Sequence, residues 1–183
     1  MKNEELQTKV IIVDSNAWNF LFESNIDLFS STFEKFRFAI TWMIEKEMEC
    51  MSNREDKKDL IAYYNQYKPC VDRFKKPFGF YASNVPDDMQ RCVGFGQGPF
   101  IALKESEQLV AKSKFIGNQR KTLLFKNETD LNMACKAYGN VFILTRDFKK
   151  PGPLKDIENL VGIPDTPLSE LDFKELLCKS TTR

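Results

Sequence analysis

Two short apolar runs constrain this chain most. Lys9-Val-Ile-Ile-Val-Asp14 and Val141-Phe-Ile-Leu-Thr145-Arg-Asp147 are unbroken apolar stretches rich in β-branched residues, and each leads directly into a carboxylate. A strand with one face in water alternates polar and apolar residues. One buried on both faces, as in a parallel sheet covered by helices, reads as a continuous run. Arg37-Phe-Ala-Ile-Thr41 reads as a further short strand. Helical patterns lie between. Ser15 and Asn16 can cap a helix over Ala17–Phe22, residues 27–36 look helical, and Trp42–Tyr67 is helical with charge crowded over 45–59. Leu103–Ala111, Asn127–Tyr138 (with Asn127 or Thr129 at its start and Gly139 as its stop) and Leu168–Cys178 complete the set. Strands alternating with helices predict an α/β fold with a mainly parallel central sheet. In such sheets ligands gather beyond the carboxyl ends of the strands, where the strand order reverses. That is where Asp14 and Asp147 fall.

The chain has 183 residues, which fits one domain over 1–183. Residues 68–126 read as an extended insertion or lid. Between 68 and 99 the prolines at 69, 77, 86 and 99 and the glycines at 79, 94, 96 and 98 prevent long regular elements, and a loop of that length is usually functional. Gly94-Phe-Gly-Gln-Gly98 lacks the Lys-Ser/Thr of a phosphate-binding loop and reads as a turn. No apolar run reaches the roughly 18 residues of a membrane span, and Met1–Val10 is charged rather than signal-like, so the expected setting is cytoplasmic with no membrane partner. The phenylalanines at 29, 33, 36 and 38 read as core.

Histidine is absent. This excludes Ser-His-Asp and Cys-His catalysis and His-ligated metals. The five cysteines include no CxxC pair, so zinc is disfavoured and they read as reduced core thiols. Chemistry is left to carboxylates, Lys, Tyr, Cys or a hard metal ion. Four acids are placed to share a cleft: Asp14 and Asp147 after strands, Glu47 on the helix after the Arg37–Thr41 strand, and Asp130 in a first helical turn. Clustered carboxylates repel and call for a cation, and oxygen ligands alone select Mg²⁺ or Mn²⁺. The rival reading is local: a strand-end or first-turn Asp commonly caps the next turn. Glu45 and Glu128, beside the second and third acids, read as solvent-facing.

These segments resemble those of PIN-domain metal-dependent ribonucleases. Val10-Ile-Ile-Val-Asp14-Ser-Asn16 looks like their opening strand: a hydrophobic run, Asp, a small hydroxyl residue, then Asn. Ala39-Ile-Thr-Trp-Met-Ile-Glu-Lys-Glu47 resembles the strand and helix bearing the second acid, and Asp130 through Thr145-Arg-Asp147 the helix and strand bearing the third and fourth. Phe148-Lys-Lys follows Asp147 where many members carry another acid or amide. The resemblance implies a three-layer αβα sandwich. It also implies Mg²⁺ or Mn²⁺ held by Asp14, Glu47, Asp130 and Asp147, and hydrolysis of RNA, with Asn16 and Thr145 holding those carboxylates in place. For toxin-like relatives it implies an inhibitory partner protein, and in general a homodimer.

Net charge is +1, so any nucleic-acid surface must be local. Lys112, Lys114, Arg120, Lys121 and Lys126, interleaved with Phe115 and Phe125, suit a single strand, although a solvated face over core phenylalanines explains them equally. Arg73, Lys75 and Lys76 form a similar patch. Arg146, Lys149 and Lys150 stand where backbone phosphate would approach the fourth acid. Three functions follow for test: an endoribonuclease, a PIN-like module that binds nucleic acid or protein without cutting, and a nuclease or phosphatase acting on DNA or small phosphoesters. Asp14-Ser-Asn16 departs from the Asp-x-Asp that a haloacid-dehalogenase-type phosphatase needs.

Overall fold

A computed structural model describes residues 8–94 and 96–182. Most of the charged opening stretch, and Phe95 within the glycine-rich segment, lie outside the described residues. Five strands, β1 (Lys9–Val13), β2 (Phe36–Thr41), β3 (Asp72–Phe74), β4 (Val141–Thr145) and β5 (Leu160–Gly162), form one parallel sheet in the order β3-β2-β1-β4-β5. Among the described residues six α-helices flank it: α1 (Ser15–Glu23), α2 (Trp42–Met51), α3 (Lys58–Tyr67), α4 (Leu103–Lys112), α5 (Glu128–Lys136) and α6 (Glu170–Thr181). The architecture is a three-layer αβα sandwich. Ile11, Ile12 and Val13 point alternately to the two faces, yet each is 0% exposed. Both faces are therefore covered, which is the physical reason the run is continuous.

α1 is locked by its aromatic side chains. Trp18 meets Tyr64 of α3 edge-on at 5.0 Å, and Phe20 meets Phe173 of α6 at 5.7 Å. α5 packs on α2, α4 and β4. Register pairs Val13 of β1 with Leu144 of β4, so the carboxyl ends of both strands finish level. The strand order runs outward from β1 in both directions, and the crevice between β1 and β4 is the switch point. Among the described residues, no helix is long and apolar enough to cross a membrane.

Several expectations are corrected. Of residues 27–36, expected to be helical, 27–35 are turns with a single 3-10 turn at Ser31–Phe33, and Phe36 opens β2. Asp27 Oδ1 accepts from Phe29 N (2.9 Å) and Ser30 Oγ from Thr32 N (3.3 Å), giving the backbone local partners that compete with a helix. The long helix over 42–67 is two, broken where Ser52 Oγ donates to Glu49 O at 2.6 Å. α1 begins at Ser15 because Asp14 itself is the cap. β3 and β5, three residues each, are too short to leave a periodic signal. Phe33, Phe36 and Phe38 are core, whereas Phe29 is exposed and leans on Tyr67. Of the five free cysteines only Cys135 is buried.

The 68–126 segment has two parts. Its first part supplies β3 to the sheet edge. The remainder packs on the start of α2, where Met89 and Leu124 bury against Met43, with Trp42 and Val85 beside them. Lys76 Nζ lies 4.1 Å over the Trp42 ring. This anchorage brings residues 117–127 back across the sheet's carboxyl edge as a hairpin, with Gln119 bridging Phe125.

Candidate metal centre

Each of the four predicted acids reaches the same cleft, from a different element. Asp14 closes β1, Glu47 lies on α2, Asp130 on the first turn of α5, and Asp147 two residues beyond β4. All four line a cleft of about 480 Å³ together with Arg120 and Lys150. Helix geometry explains the two middle members. In α2 the residues Met43, Ile44 and Met48 bury, which turns Glu47 and Met51 to the cleft. In α5 Leu131, Met133, Ala134 and Cys135 bury, while Asn127 and Asp130, three apart, face the cleft.

Thr145 is the hub. It is fully buried, and its hydroxyl donates to Asp14 Oδ2 at 2.7 Å while accepting from Asp147 N at 3.0 Å and Asn16 Nδ2 at 3.2 Å. Asn16 Nδ2 also reaches Asp147 Oδ2 (3.3 Å), and its Oδ1 accepts from Arg146 N (2.9 Å). The two residues expected to brace the acids thus tie β1 to β4 through the first and fourth carboxylates. Asp14 Oδ1 accepts from Ser15 N at 2.6 Å. The rival reading of this Asp as a cap is correct as well: one oxygen caps α1 and the other is held at the cleft floor.

Sequence reasoning did not single out the residues that hold Glu47. Ser15 Oγ donates to its Oε2 and Thr129 Oγ1 to its Oε1, both at 2.8 Å. The only signal was that each hydroxyl residue adjoins a predicted acid. Glu45, the neighbour of the second acid, points elsewhere, within 3.4 Å of Lys68 and Arg73. Glu128 accepts from Arg91 (2.8 Å) and Phe125 N (2.8 Å), which pins the hairpin rather than lining the acidic cleft.

Burial pushes the Asp14 carboxyl up to about 7; the Thr145 donor opposes this, and the charges of Asp130 and Glu47 add to it. Burial raises Asp130 to about 6, reinforced by Glu47 and Asp147 and opposed by Arg120 and Lys150. Among the described residues the Asp130 carboxylate accepts no hydrogen bond. Oxygen-only groups, one of them half-buried without a donor and two raised by burial and like charge, fit a hard dication such as Mg²⁺ or Mn²⁺. Among the described residues, however, no three His, Cys, Asp or Glu side chains already form a group that would hold an ion. The hydrogen bonds explain this: Asp14 is drawn to Thr145 and Ser15, Glu47 to Ser15 and Thr129, and Asp147 to Asn16 and Lys150. Three of the acids lean on their own donors, and Asp130 stands among them without one.

The predicted basic residues separate. Arg120 lines the cleft, where its Nη1 is 3.8 Å from Glu47 Oε1. Lys150 lines it too, bonded to Asp147 Oδ1. Lys114 lies 5.4 Å over the Phe115 ring, Lys121 is exposed on the hairpin, and Lys149 lies 5.3 Å over Phe148. None of these three lines the cleft. Arg146 is drawn the other way, its Nη2 2.7 Å from Glu23 and its guanidinium over Phe20. Comparison of the chain with protein-family models, curated proteins and solved structures returns no match, so function is read from the cleft's own chemistry.

Proposed function

We propose that this chain is a PIN-like, divalent-metal-dependent endoribonuclease. The observation that supports this most is the gathering of Asp14, Glu47, Asp130 and Asp147 on one cleft at the sheet's switch point, with cationic side chains at its rim. Asp14, Asp130 and Asp147, with Glu47 beside them, would hold the ion, which when bound supplies Lewis acidity toward water and a phosphodiester. The protein's own part is placement. Thr145 and Asn16 fix Asp14 and Asp147 relative to each other, and Ser15 and Thr129 aim Glu47. Arg120 and Lys150 offer donors to phosphate oxygens entering from solvent. With no histidine in the chain, no imidazole acid or base takes part.

Asp147→Asn and Asp130→Asn should each abolish Mn²⁺-dependent cleavage of a labelled single-stranded RNA while circular dichroism shows a retained fold. Full activity in either variant refutes the assignment. The same panel extended to single-stranded and duplex DNA decides the nucleic acid. One observation favours a second reading, a module that binds nucleic acid without cutting it: Asp14, Glu47 and Asp147 are each satisfied by their own donors, and among the described residues no ready ligand group forms. Calorimetry separates the two, since the inert module takes up no Mn²⁺ near neutral pH.

A further inference from the structure

Two cations stand inside the acidic cleft itself. Lys150 Nζ bonds Asp147 Oδ1, and Arg120 Nη1 lies 3.8 Å from Glu47 Oε1. Other cations near the site are committed elsewhere, Arg146 to Glu23 and Arg91 to Glu128. Both cleft cations are weakly held. Their side chains are 74% and 50% exposed, Lys150 in the loop beyond β4 and Arg120 at the tip of the hairpin, where Leu123 takes a left-handed φ of 62° to close the turn. An exposed ion pair contributes little and exchanges partners easily. The carboxylates they touch are two of the four that would hold a dication. A lysine ammonium engaged with a carboxylate is not at the same moment free for a phosphate.

We infer that Arg120 and Lys150 are exchangeable counter-ions: they neutralise Glu47 and Asp147 in the ion-free cleft, and a dication releases them to the phosphate oxygens of the bound strand. This rests on the metal-dependent reading above and adds to it a coupling between ion and nucleic acid. The ion must displace the two cations from its ligands, so they weaken its binding when it is alone. Once displaced, they are ready for the strand, so each ligand raises the other's affinity. Both residues are positioning and binding groups; neither need touch the reacting bond.

The coupling predicts effects of opposite sign from one substitution. In calorimetry with Mn²⁺ alone, Lys150→Met should bind the ion about threefold more tightly than wild type, and the Arg120→Met/Lys150→Met double variant about tenfold, because competing cations have been removed. In anisotropy with a short fluorescein-labelled oligouridylate and Ca²⁺, the same variants should bind the strand more weakly. The slope of log affinity against log salt should flatten by about 0.7 per cation removed. Repeated in EDTA, the loss should be smaller, since the cations are then engaged with the acids. Unchanged or weaker Mn²⁺ binding together with weaker strand binding would overturn the exchange and leave plain phosphate contacts. Unchanged strand binding would overturn it in favour of a structural ion pair. If wild type takes up no Mn²⁺, the metal-dependent reading itself fails, an outcome distinct from either.

Discussion

Replacing Asp14 by asparagine should stabilise the ion-free protein at alkaline pH while destroying its response to a dication. Asp14 is held at about 7 in the fold against 3.8 in the unfolded chain, chiefly by burial. Between those values the folded state binds more protons than the unfolded state, so stability falls as pH rises through about 4 to 7 and stays low above. The full penalty for the ionised group is about 4 kcal/mol, at 1.36 kcal/mol per unit. Asparagine removes it. The amide oxygen still accepts from Ser15 N, and the amide nitrogen can donate to Thr145 Oγ1, whose hydroxyl turns to Asn16 Oδ1 at 3.3 Å. Asn is as good a cap as Asp. Allowing about 1–2 kcal/mol for the weaker hydrogen bonds, the variant should gain about 2–3 kcal/mol at about pH 8 and lose about 1–2 kcal/mol near pH 4, where the ionisation penalty is absent. Asp130, raised to about 6, keeps a decline at lower pH in both proteins. Urea unfolding in EDTA across this range measures the difference. Mn²⁺ at about 100 times its dissociation constant should then add about 2.7 kcal/mol to wild type and little to the variant. A variant destabilised at pH 8, or a wild-type profile flat from pH 5 to 8, would refute the reasoning.

Thr145→Val removes the donor on Asp14 in a fully buried setting and should cost about 1–3 kcal/mol. The loss should be larger near pH 8, where Asp14 is ionised, than near pH 5, as urea titrations at the two pH values would show. Ser15→Ala with Thr129→Val strips both donors from Glu47 and should weaken Mn²⁺ binding by about 10- to 100-fold in calorimetry, with the fold kept. Leu124→Ala opens a cavity in the small cluster with Met43 and Met89 and should cost about 2–5 kcal/mol. Hydrogen exchange should show 117–127 losing protection before β1 and β4; uniform loss would mean that the hairpin is not separately anchored.

Long-range placement was legible where a strong period or a run of apolar residues carried it. β1 and β4 announced a two-sided buried sheet, and their terminal acids announced its switch point. Glu47 and Asp130 were placed by their positions on predicted helices together with the resemblance of those segments, and the burial of one face of α2 and of α5 accounts for their reaching the cleft. What escaped was local or depended on contacts between distant segments. The 27–35 turns are set by backbone N–H groups donating to the side chains of Asp27 and Ser30, which helical patterning does not register. β3 and β5 exist because neighbouring strands offer them partners. That Arg120 reaches the cleft while Lys121 does not depends on a hairpin closed by Leu123 and tied down by Arg91 and Glu128. Arg146 was expected near phosphate on adjacency to Asp147, but alternation along the chain sends it to Glu23 on the other side.

The central claim is that four carboxylates from separate elements share a dication. Anomalous diffraction from a crystal soaked in Mn²⁺ tests it most directly. The account predicts one strong peak, or two, within about 2.2 Å of oxygens from at least three of Asp14, Glu47, Asp130 and Asp147, with Lys150 withdrawn from Asp147. A cleft without a peak at saturating Mn²⁺, with Asp14 still on Thr145 and Ser15, Glu47 on Ser15 and Thr129, and Asp147 on Asn16 and Lys150, would contradict it.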